Sequence, residues 1–192
     1  MPSPAEPPTP PTSPWLVSPR LVLRRFQPGD AAALAAYRSD PAIARYQAWQ
    51  TPLSVEQATE TIARYQHHDP DRPGWFPYAI SLNGNLIGDL GVNLHENGMQ
   101  ADLGFTLAAP HHGHGYATEA VSRMLEHLFV DRCLHRVSAE CDPRNDASAR
   151  LLDRLGLERE GLRRANTWVR DEWADDLLFG LLAADYHQRA GR

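Results

Sequence analysis

Between Leu103 and Ala120 the sequence runs LGFTLAAPHHGHGYATEA, an order of residues that few folds accommodate. Apolar and small or polar residues alternate from Asp102 to Leu107, the pattern of a half-buried strand. Pro110 then breaks that strand, and from Ala117 an apolar face recurs at helical spacing. The segment His112-Gly113-His114-Gly115-Tyr116-Ala117 therefore lies where strand gives way to helix. A helix start exposes unpaired backbone N–H groups and the positive end of the helix dipole. Two glycines just before it let the backbone approach a ligand without hindrance from a Cβ. Together these predict a cradle for a phosphate or pyrophosphate. A nicotinamide or flavin module is the rival reading, because Gly113-x-Gly115-x-x-Thr118 approaches GxGxxG. Thr118 breaks the third position, and the preceding strand follows hairpins and does not open a βαβ unit.

The rest of the chain supplies the scaffold. Met1 to Pro14 holds seven of the sixteen prolines and is expected to be a disordered tail, with one domain over 15–192. Arg20–Phe26 reads as a first strand, and Pro28-Gly29-Asp30 turns into a helix with Asp30 as its N-cap, ending near Pro41. Ser54 followed by Gln57 is a capping box opening a second helix to about His68. Phe76–Leu82 and Asn85–Leu94 flank Asn83-Gly84, a type I′ hairpin signal. After a turn at Glu96–Gln100 comes the strand into the glycine loop, then a helix over Ala117–Cys133 and a strand over Arg136–Cys141. A helix over Asp146–Leu155 is stopped by Gly156, and a last hairpin joins Leu157–Val169 to Ala174–Leu182 around Arg170–Trp173. The expected class is α+β.

Two separated blocks, GHGYATEA and NDASARLLDRLGLEREG, resemble the acetyl-CoA-binding and second motifs of the GNAT N-acetyltransferase superfamily, in its RimJ/RimL-like branch. The resemblance covers roughly Pro19 to Tyr186. It implies a central mixed, mostly antiparallel, twisted sheet, seven-stranded by the reading above, flanked by about four helices. The activity it implies is transfer of an acetyl group from acetyl-CoA to a primary amine by direct attack. The acceptor would be a protein or peptide N-terminus or a small amine. The alternative is a catalytically inactive CoA-binding sensor or partner protein. The family contains monomers and dimers, and a homodimer is the expectation without a residue-level reason of its own.

Composition removes other classes. The chain contains no lysine, so a P-loop, Schiff-base chemistry and a pyridoxal-phosphate site are excluded. A net charge of −5 argues against general nucleic-acid binding and favours cationic acceptors. No apolar run reaches a membrane-spanning length, no secretory signal opens the chain, and two cysteines make no disulfide framework. The expectation is a cytoplasmic protein that does not associate with membranes. His95, His111, His112 and His114 could suggest zinc, but histidines on a tight glycine turn diverge, and no metal is expected.

By the resemblance, backbone groups of Phe105, Thr106 and Leu107 bind the pantetheine arm. The amides of His112, Gly113, His114, Gly115, Tyr116 and Ala117, continuing to Thr118, hold the pyrophosphate, and Asn145 contacts the CoA arm. His112 replaces the family's Gln or Arg at a position used through its backbone amide. Asp102 is the candidate base, directly or through water, with Glu140 a second carboxylate. No Tyr lies between Tyr116 and Tyr186 to act as the acid found in many relatives, so Ser148 is the candidate donor to the leaving thiolate. Trp49, Trp75 and Trp168 are candidate borders of an acceptor pocket, and Arg163, Arg164 and Arg170 are expected as solvated charge.

Overall fold

The computed structural model describes residues 16–191, so the expected proline-rich tail at 1–14 lies outside the described residues. The strands are β1 (Leu16–Val17), β2 (Leu21–Arg24), β3 (Gly74–Leu82), β4 (Asn85–Leu94), β5 (Gln100–Leu107), β6 (Arg136–Cys141), β7 (Glu158–Val169) and β8 (Glu172–Leu182). They form one sheet in the order β1-β2-β3-β4-β5-β6-β8-β7, antiparallel throughout except for the central β5–β6 pair. Helices α1 (Ala31–Ser39), α2 (Pro41–Ala44), α3 (Val55–Tyr65), α4 (Tyr116–Glu126), α5 (Asp146–Leu155) and α6 (Ala183–Ala190) complete the described chain. The fold is α+β, as the sequence predicts. Eight strands and six helices replace the expected seven and four. The additions are too short to carry a period of their own: β1 has two residues, α2 four and α6 eight.

Local chemistry accounts for most boundaries. Asn83 and Gly84 take φ of 51° and 85°, the two left-handed positions that a type I′ turn requires between β3 and β4. Ser54 Oγ accepts from the Gln57 amide at 3.2 Å while Gln57 Oε1 accepts from the Ser54 amide at 2.9 Å, closing the capping box of α3. Gly156 ends α5 at φ 89°. The helix expected to run to Cys133 stops its α geometry at Glu126 and widens into a π turn, where the Arg132 amide reaches the carbonyl of His127.

Asp30 is not a side-chain N-cap. Its buried carboxylate accepts from Arg24 Nη1 and Nη2 at 2.7 and 2.9 Å and from the Gln27 amide at 2.7 Å. The charge-assisted fork from β2 takes the oxygens that a cap would have offered to α1.

Two hydrophobic layers hold the sheet. On one face Leu23, Leu90, Leu103 and Val137 meet Val121, Met124 and Leu125 of α4 and Leu152 of α5. On the other, Ala79 and Leu86 meet Leu34 and Ala35 of α1 and Ala58 and Ile62 of α3.

Candidate active site

Strands β5 and β6 are paired only from Gln100↔Arg136 to Leu103↔Ala139. Beyond that point β5 continues through Gly104, Phe105, Thr106 and Leu107 with no β6 residue opposite, although its other edge stays paired to β4 as far as Gly88↔Leu107. The opening leaves main-chain groups on one side of β5 available to a ligand. A cleft of about 640 Å³ and a cavity of about 230 Å³ both reach this stretch of β5. Both are lined by Tyr46, Gln47, Phe105, Thr106, Asn145 and Ser148, so the two spaces meet at the opening.

The cleft continues from Leu107 to the start of α4, along Gly113, Gly115, Tyr116, Ala117 and Thr118. Gly113 and Gly115 take φ of 78° and 79°, and a Cβ built on Gly113 meets nothing within 4 Å. The glycines therefore do two jobs: they permit the left-handed backbone and leave the cleft open beside the helix N-terminus. His112 Nε2 lies 2.8 Å from the Leu107 carbonyl. Because a carbonyl only accepts, Nε2 carries the hydrogen, and the imidazole ties the loop to the end of β5. His114 is not among the cleft-lining residues: its ring stacks on Tyr116 at 5.7 Å.

Arg20, which the sequence did not single out, fastens this loop. Its Nη1 donates to the His114 carbonyl at 3.1 Å, its Nε donates to Glu119 at 2.6 Å, and its guanidinium lies 4.5 Å over the Tyr116 ring. Burial pushes the Glu119 carboxyl up, but Ser18 and Arg20 together hold it below its ordinary value. The first turn of α4 is thus anchored to the β1–β2 turn by an ionised carboxylate. Gly115→Val is expected to weaken CoA binding tenfold or more, about 1.4 kcal/mol, in calorimetry. The nearest atom to a Cβ there is Arg20 Nη2 at 3.5 Å, an ordinary contact, so the effect comes from a β-branched residue forced out of φ 79°. An unchanged affinity would show that the loop amides contribute nothing.

On α5, Asn145 Oδ1 accepts from the Ser148 amide at 3.2 Å, which caps the helix. The Ser148 hydroxyl makes no hydrogen bond among the described residues, and the residue lines both spaces.

The smaller cavity carries the carboxylates. Asp89 of β4, Glu140 of β6 and Asp142 line it, with Gly104 and Trp49. Asp142 is neutralised by a fork from Arg144, which holds its carboxyl below the ordinary range. Burial pushes the Glu140 carboxyl up, and like charge on Asp176 and Asp102 adds to it, against Arg163. Asp102 does not line either space. It sits in the paired half of β5, opposite Ser138, where it accepts from Asn93 Nδ2 at 3.0 Å and meets His95 Nε2 at 2.9 Å. Of the three candidate tryptophans only Trp49 lines the cavity; Trp75 lies over Gly91, and Trp168 forms an exposed pair with Trp173. Arg170 is exposed, as expected, and its Nε donates to the Ala44 carbonyl, which seats the β7–β8 turn on α2. Among the described residues no group of three or more His, Cys, Asp or Glu is placed to hold a metal ion, and no helix is long and apolar enough to cross a membrane.

Comparison with known proteins decides the family. The sequence pattern of the acetyltransferase (GNAT) domain matches residues 20–158. The chain belongs to the GNAT acetyltransferase family. An uncharacterised N-acetyltransferase of Bacillus licheniformis, p20, is 31% identical over 174 residues, covering 89% of this chain and 97% of that protein. The [ribosomal protein uS5]-alanine N-acetyltransferase of Escherichia coli is 30% identical over 84 residues, 44% of this chain and 43% of its own length. Among solved structures, Mycobacterium smegmatis RimJ in complex with CoA-disulfide superposes with a TM-score of 0.76 at 26% identity, over 90% of each chain. Within the GNAT family this chain falls in the RimJ/RimL-like branch and is an N-acetyltransferase.

Proposed function

We propose that the protein transfers the acetyl group of acetyl-CoA to a primary amine by direct attack across the β5–β6 opening. The observation that carries this reading is the meeting of a long cleft and a small acidic cavity along a shared wall that includes Ser148. The residues present fit a CoA thioester. The open glycine loop at the α4 N-terminus suits its pyrophosphate, Arg154 adds a positive charge to the cleft wall, and the unpaired edge of Phe105–Leu107 suits an amide-containing arm. Acetyl-CoA supplies an acyl group whose C–S bond breaks as the C–N bond forms. The chain must then take one proton from nitrogen and offer one to sulfur. To Ser148 we assign the hydrogen bond to sulfur, on the support of its unpartnered hydroxyl and its place on the wall of both spaces.

For the nitrogen, Glu140 lines the acceptor cavity and its raised pKa suits a base better than an ordinary carboxylate. Asp102 then acts through Glu140, as a neighbouring negative charge on the same sheet face, two residues back on the register. Covalent catalysis is disfavoured. Cys141, the cysteine at the cavity, is pushed up to about 11 by burial and by Asp142, so it is a thiol and a poor nucleophile at neutral pH.

Calorimetry with CoA and with NAD, followed by thiol release from acetyl-CoA in an amine screen, tests the reading. CoA binding without thiol release from any amine would leave a sensor; NAD binding would end the proposal. The base assignment has a separate check. A base must be ionised to accept a proton, so kcat/KM rises as pH rises through the pKa of Glu140. Asp102→Asn removes one of the charges that raise that pKa, so the acid limb moves to lower pH. An acid limb that stays in place, or moves up, would separate Asp102 from Glu140.

A further inference from the structure

Asp89 is a residue the transfer chemistry does not use. It is 8% exposed, on the cavity wall of β4 and directly across the strand pair from Thr106, which lines both spaces. One of its oxygens is fully engaged from behind. Oδ2 accepts a short hydrogen bond from the Tyr37 hydroxyl and another from Arg38 Nη2 at 3.2 Å, and Arg38 Nη2 also reaches the Tyr65 hydroxyl at 3.3 Å. Trp49 closes this assembly: its indole N–H donates to the Arg38 carbonyl at 3.1 Å, and the Arg38 guanidinium lies 4.9 Å over its ring. Oδ1 has no partner among the described residues.

Such a network is expensive to bury and is fixed in one arrangement. Burial, then the charge of Asp89, push the Tyr37 phenol well above its ordinary value, so it remains a donor. Burial pulls Arg38 down, but Asp89 raises it further, so the guanidinium remains charged. Two donors that stay protonated therefore grip the same oxygen of Asp89, a cavity-lining residue, and leave the other without a hydrogen bond among the described residues. A neutral hydrophobic core would need none of this. A wall that must present one oriented carboxylate oxygen to a guest would need all of it.

We infer that Asp89 is the specificity-determining residue for the acceptor: its free oxygen binds the positively charged nitrogen of a cationic amine, and Tyr37 and Arg38 position it. Where that nitrogen is the nucleophile, it gives one proton to base or solvent before it attacks and a second as the amide forms. The inference rests on the acetyl-transfer reading and names the charge class of the acceptor. Arg38 already offsets the charge of Asp89, so the contribution is an oriented, charge-assisted hydrogen bond rather than bulk attraction. The protein should accordingly prefer amines that are protonated in solution over uncharged nitrogen nucleophiles of similar size.

The test compares spermidine, cadaverine and alaninamide, which carry ammonium charge near neutral pH, with hydroxylamine, which is uncharged there. Using the cation that wild type acetylates fastest, Asp89→Asn should raise KM about tenfold or more, the value of a lost hydrogen bond to a charged group. The KM for hydroxylamine and the Kd for CoA should stay within about twofold. Tyr37→Phe, which keeps the ring and removes the hydroxyl that donates to Asp89, should raise KM for the same cation by a smaller factor. This second variant carries the test if Asp89→Asn does not fold. Equal losses with the cation and with hydroxylamine would mark the network as structural and overturn the inference. Wild-type acetylation of hydroxylamine but of none of the cations would overturn it as well. CoA binding with no acetylation of any acceptor would instead overturn the catalytic reading beneath it.

Discussion

Gly88→Ala is expected to lower the melting temperature by roughly 10 °C and to weaken CoA binding with it. Gly88 pairs with Leu107 where β4 supports the unpaired half of β5. A Cβ there would stand 2.2 Å from the Thr106 carbonyl oxygen, 3.0 Å from Leu107 Cα and 3.1 Å from Leu107 Cδ1. Two of those atoms are backbone and cannot rotate away, so β5 itself has to move. Overpacking of this kind costs about 3 kcal/mol, and in a chain of this size each kcal/mol is worth about 2–4 °C. The displaced segment is the one proposed to hold the pantetheine arm, so affinity falls in parallel. Gly104→Ala is the control on the same strand. Its Cβ meets nothing within 4 Å, and its melting temperature should stay within about 2 °C of wild type. Equal melting of the two variants would mean that β4 and β5 are not held at the spacing seen here.

That contrast bears on what a sequence discloses. Both glycines sit in strands of alternating pattern, and nothing local distinguishes the one that a backbone oxygen crowds from the one that faces open space. Signals confined to a few residues were legible: the Asn83-Gly84 turn, the Ser54–Gln57 box, the Gly156 stop and the glycine loop before α4 all depend on neighbours within one turn of chain. Interactions across the chain were not. Arg20 reaches Glu119 over 99 residues, and Tyr37 reaches Asp89 over 52, with no motif linking either pair.

The carboxylates show the same limit more sharply. Alternation correctly puts Asp102 on a face with Gly104 and Thr106, but it cannot say where β5 and β6 part company. The parting falls after Leu103, which leaves Asp102 in the closed sheet and brings Glu140 to the cavity. Asp30 misled for a related reason. Its position before α1 suits a cap, yet an arginine on a neighbouring strand outcompetes the helix amides for its oxygens.

Ser148→Ala is expected to lower kcat roughly hundredfold, about 2.7 kcal/mol in the barrier, while leaving the Kd for CoA and the melting temperature almost unchanged. From sequence alone the residue had two readings, since a hydroxyl three positions after Asn145 can donate to a thiolate or cap the helix. The structure gives the cap to Asn145, whose Oδ1 accepts from the backbone amide of Ser148, a group that alanine retains. The hydroxyl itself engages no described residue, and Ser148 lines both the cleft and the cavity. Removing it therefore takes nothing from the helix, and alanine is if anything the better helix former. Asn145→Ala is the complementary measurement: it should cost about 1 kcal/mol of stability through the lost cap. A leaving thiolate without a donor must wait for solvent, so the loss should appear in kcat and in kcat/KM alike, and it should shrink with an acyl donor whose thiol is more acidic. Wild-type turnover by a folded Ser148→Ala protein would sink the assignment, and would leave the thiolate to be protonated by water entering through the open end of the cleft.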